Sequence, residues 1–246
     1  MKPAYHEMMA LLGFGDLHPG GVPATEFLLG ELAKESPRTV LEVGAGAGLT
    51  TERMLKRGWR VTAVEPSAVM CAKLEARCGI SARRASFETF GAGEGPFDAV
   101  IGESVFYALE PRRSVEKLRG LLRPGGLLAL SDMIWTDAAT PDVAASVHDR
   151  SLRAFGIAMA PRDARAWDGW RSGLHEAGFS EVVTRRVEPG AGEPDRRAWR
   201  ARIALGLLKH PGLVPLYLSY RAQQGRPWAP RGWLESWLSV WRRGGT

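Results

Sequence analysis

The sequence predicts an α/β protein built on a doubly wound, seven-stranded, mostly parallel sheet. Three observations carry that prediction. An apolar run at 39–43 is followed by Gly44, Gly46 and Gly48 at every second position, and 49–57 then reads as a helix. Further along, short apolar runs alternate with helical patterns at distances that suit strand–helix–strand units. Finally, Leu122-Arg123-Pro124-Gly125-Gly126 sets a tight turn immediately before another apolar run.

Taken in order, 4–12 carries Tyr5, Met8, Met9 and Leu12 at helical spacing, an amphipathic helix with one apolar face. His18-Pro19-Gly20-Gly21 breaks it by composition, and 24–34 reads as a second helix, capped near 23–25. The first strand and glycine loop follow, then a second strand over 60–64 that ends at Glu65-Pro66-Ser67. Ser67 is placed to cap a helix over 68–78. A third short strand is expected over 81–85, a turn over 91–96 and a fourth strand from Phe97 to a loop at Ser104. A helix over 114–122, the turn at 122–126 and a fifth strand over 127–132 come next. The alternation is interrupted over 135–165, then resumes as a helix over 167–177 and a sixth strand over 180–188. After a linker at 189–194, 197–209 and 212–223 look helical. The stretch 237–243 alternates as a seventh strand, antiparallel to the rest. Trp228, Trp233, Trp237 and Trp241, with Arg242 and Arg243, support a second reading of this tail as an amphipathic membrane-surface element.

With 246 residues, 45% hydrophobic and 24% charged, the chain has the composition of an ordinary globular protein with a substantial core. No apolar stretch approaches the roughly 20 residues of a membrane helix, and no secretory signal opens the chain, so a cytoplasmic location is expected. Cys71 and Cys78 sit seven residues apart on one helix, about 10 Å along its axis, too far to bridge. The formal net charge of +6 would suit a nucleic-acid or anionic-lipid surface. Yet the arginine pairs at 83–84, 112–113, 185–186, 196–197 and 242–243 read as scattered over solvated faces, which disfavours a nucleic-acid partner. No metal cluster, nucleophilic cysteine motif or serine triad is visible.

The glycine loop has a chemical bias. A dinucleotide fingerprint wants glycine at position 49, where Leu49 stands. Glu42, inside the strand two residues before the first glycine, would repel a phosphate and attract an ammonium. The loop therefore reads as one built for a ligand carrying positive charge.

Glu42-x-Gly44-x-Gly46-x-Gly48 after an apolar strand resembles the first motif of class I S-adenosylmethionine-dependent methyltransferases. Phe97-Asp98 opening a strand, the Leu-x-Pro-Gly-Gly turn and Ala177-Gly178-Phe179 between helix and strand resemble further hallmarks of that family, together covering about 38–188. The resemblance implies a Rossmann-like fold with S-adenosylmethionine as cofactor. It also implies a single domain: N-terminal lid helices over 1–37, a core over 38–188 with a substrate-covering insertion at 135–165, and a C-terminal helical hairpin and strand over 189–246. On this reading Glu42, Gly44, Ala45, Gly46 and Gly48 wrap the methionine part of the cofactor, while Glu65, followed by Pro66, accepts hydrogen bonds from the ribose hydroxyls. Met70 would face the adenine, with Ser86, Phe87 or Glu88 supplying the adenine contact. Glu103 and Tyr107 would stand near the transferred methyl group. Candidate bases are His18 and His148, whereas His6, His175 and His210 look peripheral.

The function expected is methyl transfer to an oxygen, nitrogen or carbon of a small metabolite, aromatic or lipid-like. RNA or protein methylation, and binding of the cofactor without catalysis, stand as alternatives. The nine tryptophans leave open a homodimer or peripheral membrane contact through the tail.

Overall fold

The computed structural model describes residues 5–15, 18–156, 166–188, 196–224 and 232–245. Residues 157–165 of the insertion, the 189–194 linker and Trp228 lie outside them. The elements run α1 (Tyr5–Leu11), α2 (Gly21–Ala33), β1 (Thr39–Val43), α3 (Leu49–Lys56), β2 (Arg60–Val64), α4 (Ala68–Cys78), β3 (Phe97–Glu103) and α5 (Pro111–Leu121). They continue with β4 (Leu122–Trp135), α6 (Pro141–Phe155), α7 (Ala166–Glu176), β5 (Phe179–Val187), α8 (Arg196–Lys209), α9 (Val214–Gln224) and β6 (Leu234–Arg243).

Six strands form one sheet in the order β2-β1-β3-β4-β6-β5. The first four are parallel, and β6 runs antiparallel to both β4 and β5. Successive strand residues face opposite sides, and in the parallel part both sides are covered. Leu41, Val100 and Leu128 pack with Leu118 of α5 and Trp170 of α7 on one face. Val40, Ala99, Ile101 and Ala129 pack with Leu28, Leu29 and Leu32 of α2 and Met54 of α3 on the other. Each buried Leu, Ile, Val or Met among them contributes about 1.5–3 kcal/mol relative to leaving it in water. This double coverage explains why apolar residues stand at consecutive positions, Val40–Leu41 in β1 and Ala99–Val100–Ile101 in β3.

Four expectations need correction. The segment 81–85 is no strand: Arg83 makes an isolated bridge to Val64, and none of the five residues is buried. Ala82 and Ala85 pack against the core, but only Arg83 pairs with β2, so one bridge forms and no ladder, and the described residues give six strands rather than seven. The turn at 122–126 lies inside β4, as a bulge between the pairs Phe97–Leu122 and Ala99–Leu127, with Gly125 at φ 76°. α2 starts at Gly21 after a left-handed Gly20, three residues ahead of the expected start. The tail is an interior strand in which Trp241 is fully buried, which removes it from a membrane-surface element. Cys71 and Cys78 are free thiols that donate to the separate carbonyls of Glu65 and Gly48. Among the described residues no helix is long and apolar enough to cross a membrane.

Candidate active-site cavity

β1 lies between β2 and β3, so the chain reverses its direction of travel across the sheet there, and ligands in such sheets sit beyond the strand ends at that switch point. A cavity of about 480 Å³ opens at this place. It is lined in sheet order by Glu65, Pro66 and Met70 after β2, by Gly44, Ala45 and Gly46 after β1, and by Glu103, Ser104 and Tyr107 after β3. Ser86, Phe87 and Glu88 flank the β2 side; Tyr5, His6, Phe14 and His18 come from the N-terminal segment.

The three glycines do different work. Gly44 has φ 68°, and a Cβ there would run into Val105 Cγ2. Gly46, at φ 54°, has open space, with Gly44 O the nearest atom at 4.0 Å. Gly48 does not line the cavity; it precedes α3, and a Cβ there would sit 2.9 Å from Leu74 Cγ of α4. Only the first two shape the ligand space, and the third lets α3 approach α4.

Three carboxyls, the buried Glu42 and Glu65 and the half-buried Glu103, define the electrostatics. Glu65 Oε2 accepts from the Gly46 N–H and Oε1 from the Ser67 N–H, both at 2.9 Å, so β2 pins the glycine loop. Burial raises its pKa against the pull of those two donors. Glu42 accepts from the Thr51 hydroxyl, and burial first, with Glu103 and Glu65 adding repulsion, pushes its carboxyl up to about 8. Glu103 accepts from Thr25 Oγ1 on α2 and Thr50 Oγ1 on α3, each at 2.7 Å. His18 Nε2 lies 3.7 Å from Glu103 Oε1 and 3.2 Å from Thr25 Oγ1. Since the Thr25 hydrogen goes to Glu103, its oxygen receives from His18. The result is a chain of imidazole, hydroxyl and carboxylate at the β3 end.

Ser104, next to Glu103, holds a left-handed φ of 56° although it is not glycine, and its buried hydroxyl finds no partner among the described residues. Such strain persists where surrounding structure enforces it, as at ligand sites. Asp132 lies beneath the turn at 105–107, where its Oδ2 accepts the Phe106 N–H at 3.0 Å. Burial drives its carboxyl well above the usual range. Burial and the Asp132 charge together raise the Tyr107 phenol, which therefore keeps its proton. Lys117 reaches the carbonyls of Phe87, Glu88 and Phe90 at 2.6, 3.0 and 2.5 Å. That occupies the Phe87 carbonyl and fixes the loop beside the β2 end.

Among the residues singled out in the sequence, His148 lies on α6 away from the cavity lining. His6, read as peripheral, lines it close enough to Glu65 to affect its charge. The sequence does not mark Thr25, Thr50 or Thr51 as site residues. The one available signal was two adjacent threonines in the first turn of the helix that follows the glycine loop.

Residues 41–130 match the family model described as a methyltransferase domain. The chain is 28% identical over 129 residues to the uncharacterized methyltransferase YodH of Bacillus subtilis, covering 50% of this chain and 55% of that one. It is 37% identical over 107 residues to the ubiquinone biosynthesis O-methyltransferase of Xanthomonas campestris, covering 41% and 45%. The chain thus spans about half the length of these relatives. In fold it is similar to the geranyl diphosphate C-methyltransferase of Streptomyces coelicolor, solved with S-adenosyl-L-homocysteine (TM-score 0.62, 14% identity, 91% of this chain and 76% of that one).

Proposed function

On the footing that the chain belongs to the class I S-adenosylmethionine-dependent methyltransferases, we propose that it transfers a methyl group from that cofactor to an oxygen, nitrogen or carbon of a small aromatic or lipid-like molecule. The observation that carries this reading is the single cavity running from buried Glu65, past the open Gly46, to the Glu103–His18 end. The residues fit the cofactor. Glu65 is placed to take ribose hydroxyls, Gly44 to Gly46 leave room for the methionine part, and Met70, Ser86 and Phe87 flank space for the adenine. Glu42 and Glu103 favour a ligand of positive charge. When bound, S-adenosylmethionine supplies a methyl group on a cationic sulphur.

The protein's contribution is alignment and exclusion of water, effects worth several kcal/mol. Phe14 and Tyr5, from the segment over 1–37, line the cavity as its cover. Tyr107, held protonated, can donate to an acceptor but cannot serve as base. For a hydroxyl acceptor, the His18 imidazole at the Glu103 end would take the proton on Nδ1, because its Nε2 donates to Thr25.

Calorimetry of S-adenosylmethionine and S-adenosylhomocysteine on wild type and Glu65→Ala tests the reading, with S-adenosylhomocysteine formation as the readout for added acceptors. Micromolar binding that is lost in the variant is expected. Absence of binding by wild type, with and without acceptors, refutes it.

A further inference from the structure

The net charge of this protein is concentrated in one place. Over 196–224 the chain carries Arg196, Arg197, Arg200, Arg202, Lys209 and Arg221 and no acid. Removing these six from the 33 lysines and arginines leaves 27, equal to the 27 acids of the whole chain. The surplus of +6 therefore belongs to the α8–α9 hairpin, and the apparent scatter of arginine pairs elsewhere is balanced by acids.

The same hairpin is apolar on two sides. Its inner stripe, Trp199, Ile203 and Leu207, packs on Met8, Met9, Leu12 and Phe14. Gly206 permits that approach, since a Cβ there would lie 2.8 Å from Leu12 Cα. Facing away, Leu205 is 55% exposed, Leu208 79% and Leu218 59%, with Val214 at 36%. Leu205 and Leu208 follow each other at helical spacing on α8, as Val214 and Leu218 do on α9. Exposed leucines beside a cationic surplus are the two components of interfacial membrane binding.

We propose that the α8–α9 hairpin docks this protein on an anionic phospholipid surface, with Leu205, Leu208 and Leu218 entering the interface and Arg200 and Lys209 facing the headgroups. A nucleic acid would satisfy the charge but offer the leucines nothing apolar. A second copy would bring two +6 faces together. The inference is independent of the reading of the cavity. It does place the cavity's cover at the lipid surface, because Phe14 lines the cavity and packs against Trp199 with ring centroids 4.0 Å apart and the rings tilted by 42°.

Co-sedimentation of the full chain with vesicles decides the matter, comparing pure phosphatidylcholine with three parts phosphatidylcholine to one part phosphatidylglycerol. Binding to the anionic vesicles should exceed that to neutral ones at least tenfold and fall with added salt. Arg200→Gln with Lys209→Gln should weaken it roughly 30-fold, and Leu208→Glu at least tenfold. All three side chains are exposed, so melting temperatures should match wild type and confirm that the variants fold. Equal binding to both vesicle types, no binding to either, or variants that bind like wild type would overturn the proposal. So would a concentration-dependent dimer abolished by Leu208→Glu, or retention on RNA that vesicles do not compete away.

Discussion

Glu42→Gln isolates the cost of burying an acid behind the glycine loop. Glu42 is 5% exposed and is surrounded by Thr51, Glu103 and Glu65. Its carboxyl rises from 4.5 to about 8. Because the folded value lies above the unfolded one, the group's contribution to stability is fully present below pH 4.5 and is lost as pH climbs to about 8. Each pH unit within that window removes about 1.4 kcal/mol, on the order of 5 kcal/mol across it. Glutamine keeps the shape and an oxygen to accept from Thr51 but has no proton to lose. Urea unfolding of wild type and variant at half-unit steps from pH 5 to 8.5 measures the difference. The variant should gain on wild type by about 1.4 kcal/mol per unit through pH 7.5 and then level off. Curves that run parallel over this range would mean that Glu42 is already ionised in the fold, and the electrostatic account of the cavity would be wrong. Cofactor binding offers an independent readout. A cation beside Glu42 favours the carboxylate, so wild-type affinity should rise between pH 6 and 8 and that of Glu42→Gln should not.

Asp98 behaves in the opposite sense. Burial works against its charge, but the N–H groups of Thr39 and Arg38, the Arg123 guanidinium and the Thr39 hydroxyl hold it at about 2. That stabilisation is present above pH 3.8 and is lost as pH falls toward 2. Asp98→Asn should cost about 2 kcal/mol at pH 7 and flatten the acid limb of an unfolding profile. Gly44→Ala should lower the melting temperature and abolish cofactor binding, since a left-handed φ of 68° costs roughly 1–2 kcal/mol and the new methyl meets Val105. Adding Val105→Ala should recover the steric part of the melting temperature, leaving the backbone part.

Legibility in the sequence followed chain distance and burial. β2 and α4 have the bounds expected of them because Glu65-Pro66-Ser67 ends one and caps the other, with the Ser67 hydroxyl accepting from Met70 N as a cap should. The stretch 81–85 misleads because Ala82 and Ala85 do pack against the core, while the ladder a strand needs is limited to one bridge from Arg83 to Val64. Every cavity residue on the glycine loop and at the ends of β2 and β3 sits in a recognisable local pattern. The threonines that hold Glu103 do not, for Thr25 is 78 positions away and Thr50 is 53. His6 reads as peripheral for the same reason: helical spacing shows which face of α1 is apolar but not that His6 comes near Glu65. The acid-free run at 196–224 is legible in the sequence as an absence of Asp and Glu, a signal that the spread of arginine pairs does not carry.

The place of β6 bears on how the chain is made. β2, β1, β3 and β4 can pair as they leave the ribosome, but β5 adjoins only β6, which begins at Leu234, 47 positions after Val187. At ordinary translation speeds that gap is roughly 2–10 s. For that interval the nascent chain presents an unpaired β5 and one bare side of β4, together with the newly emerged basic hairpin. Sheet closure waits for the last strand, so a stalled or shortened product lacking it would retain a glycine loop and an open, aggregation-prone edge.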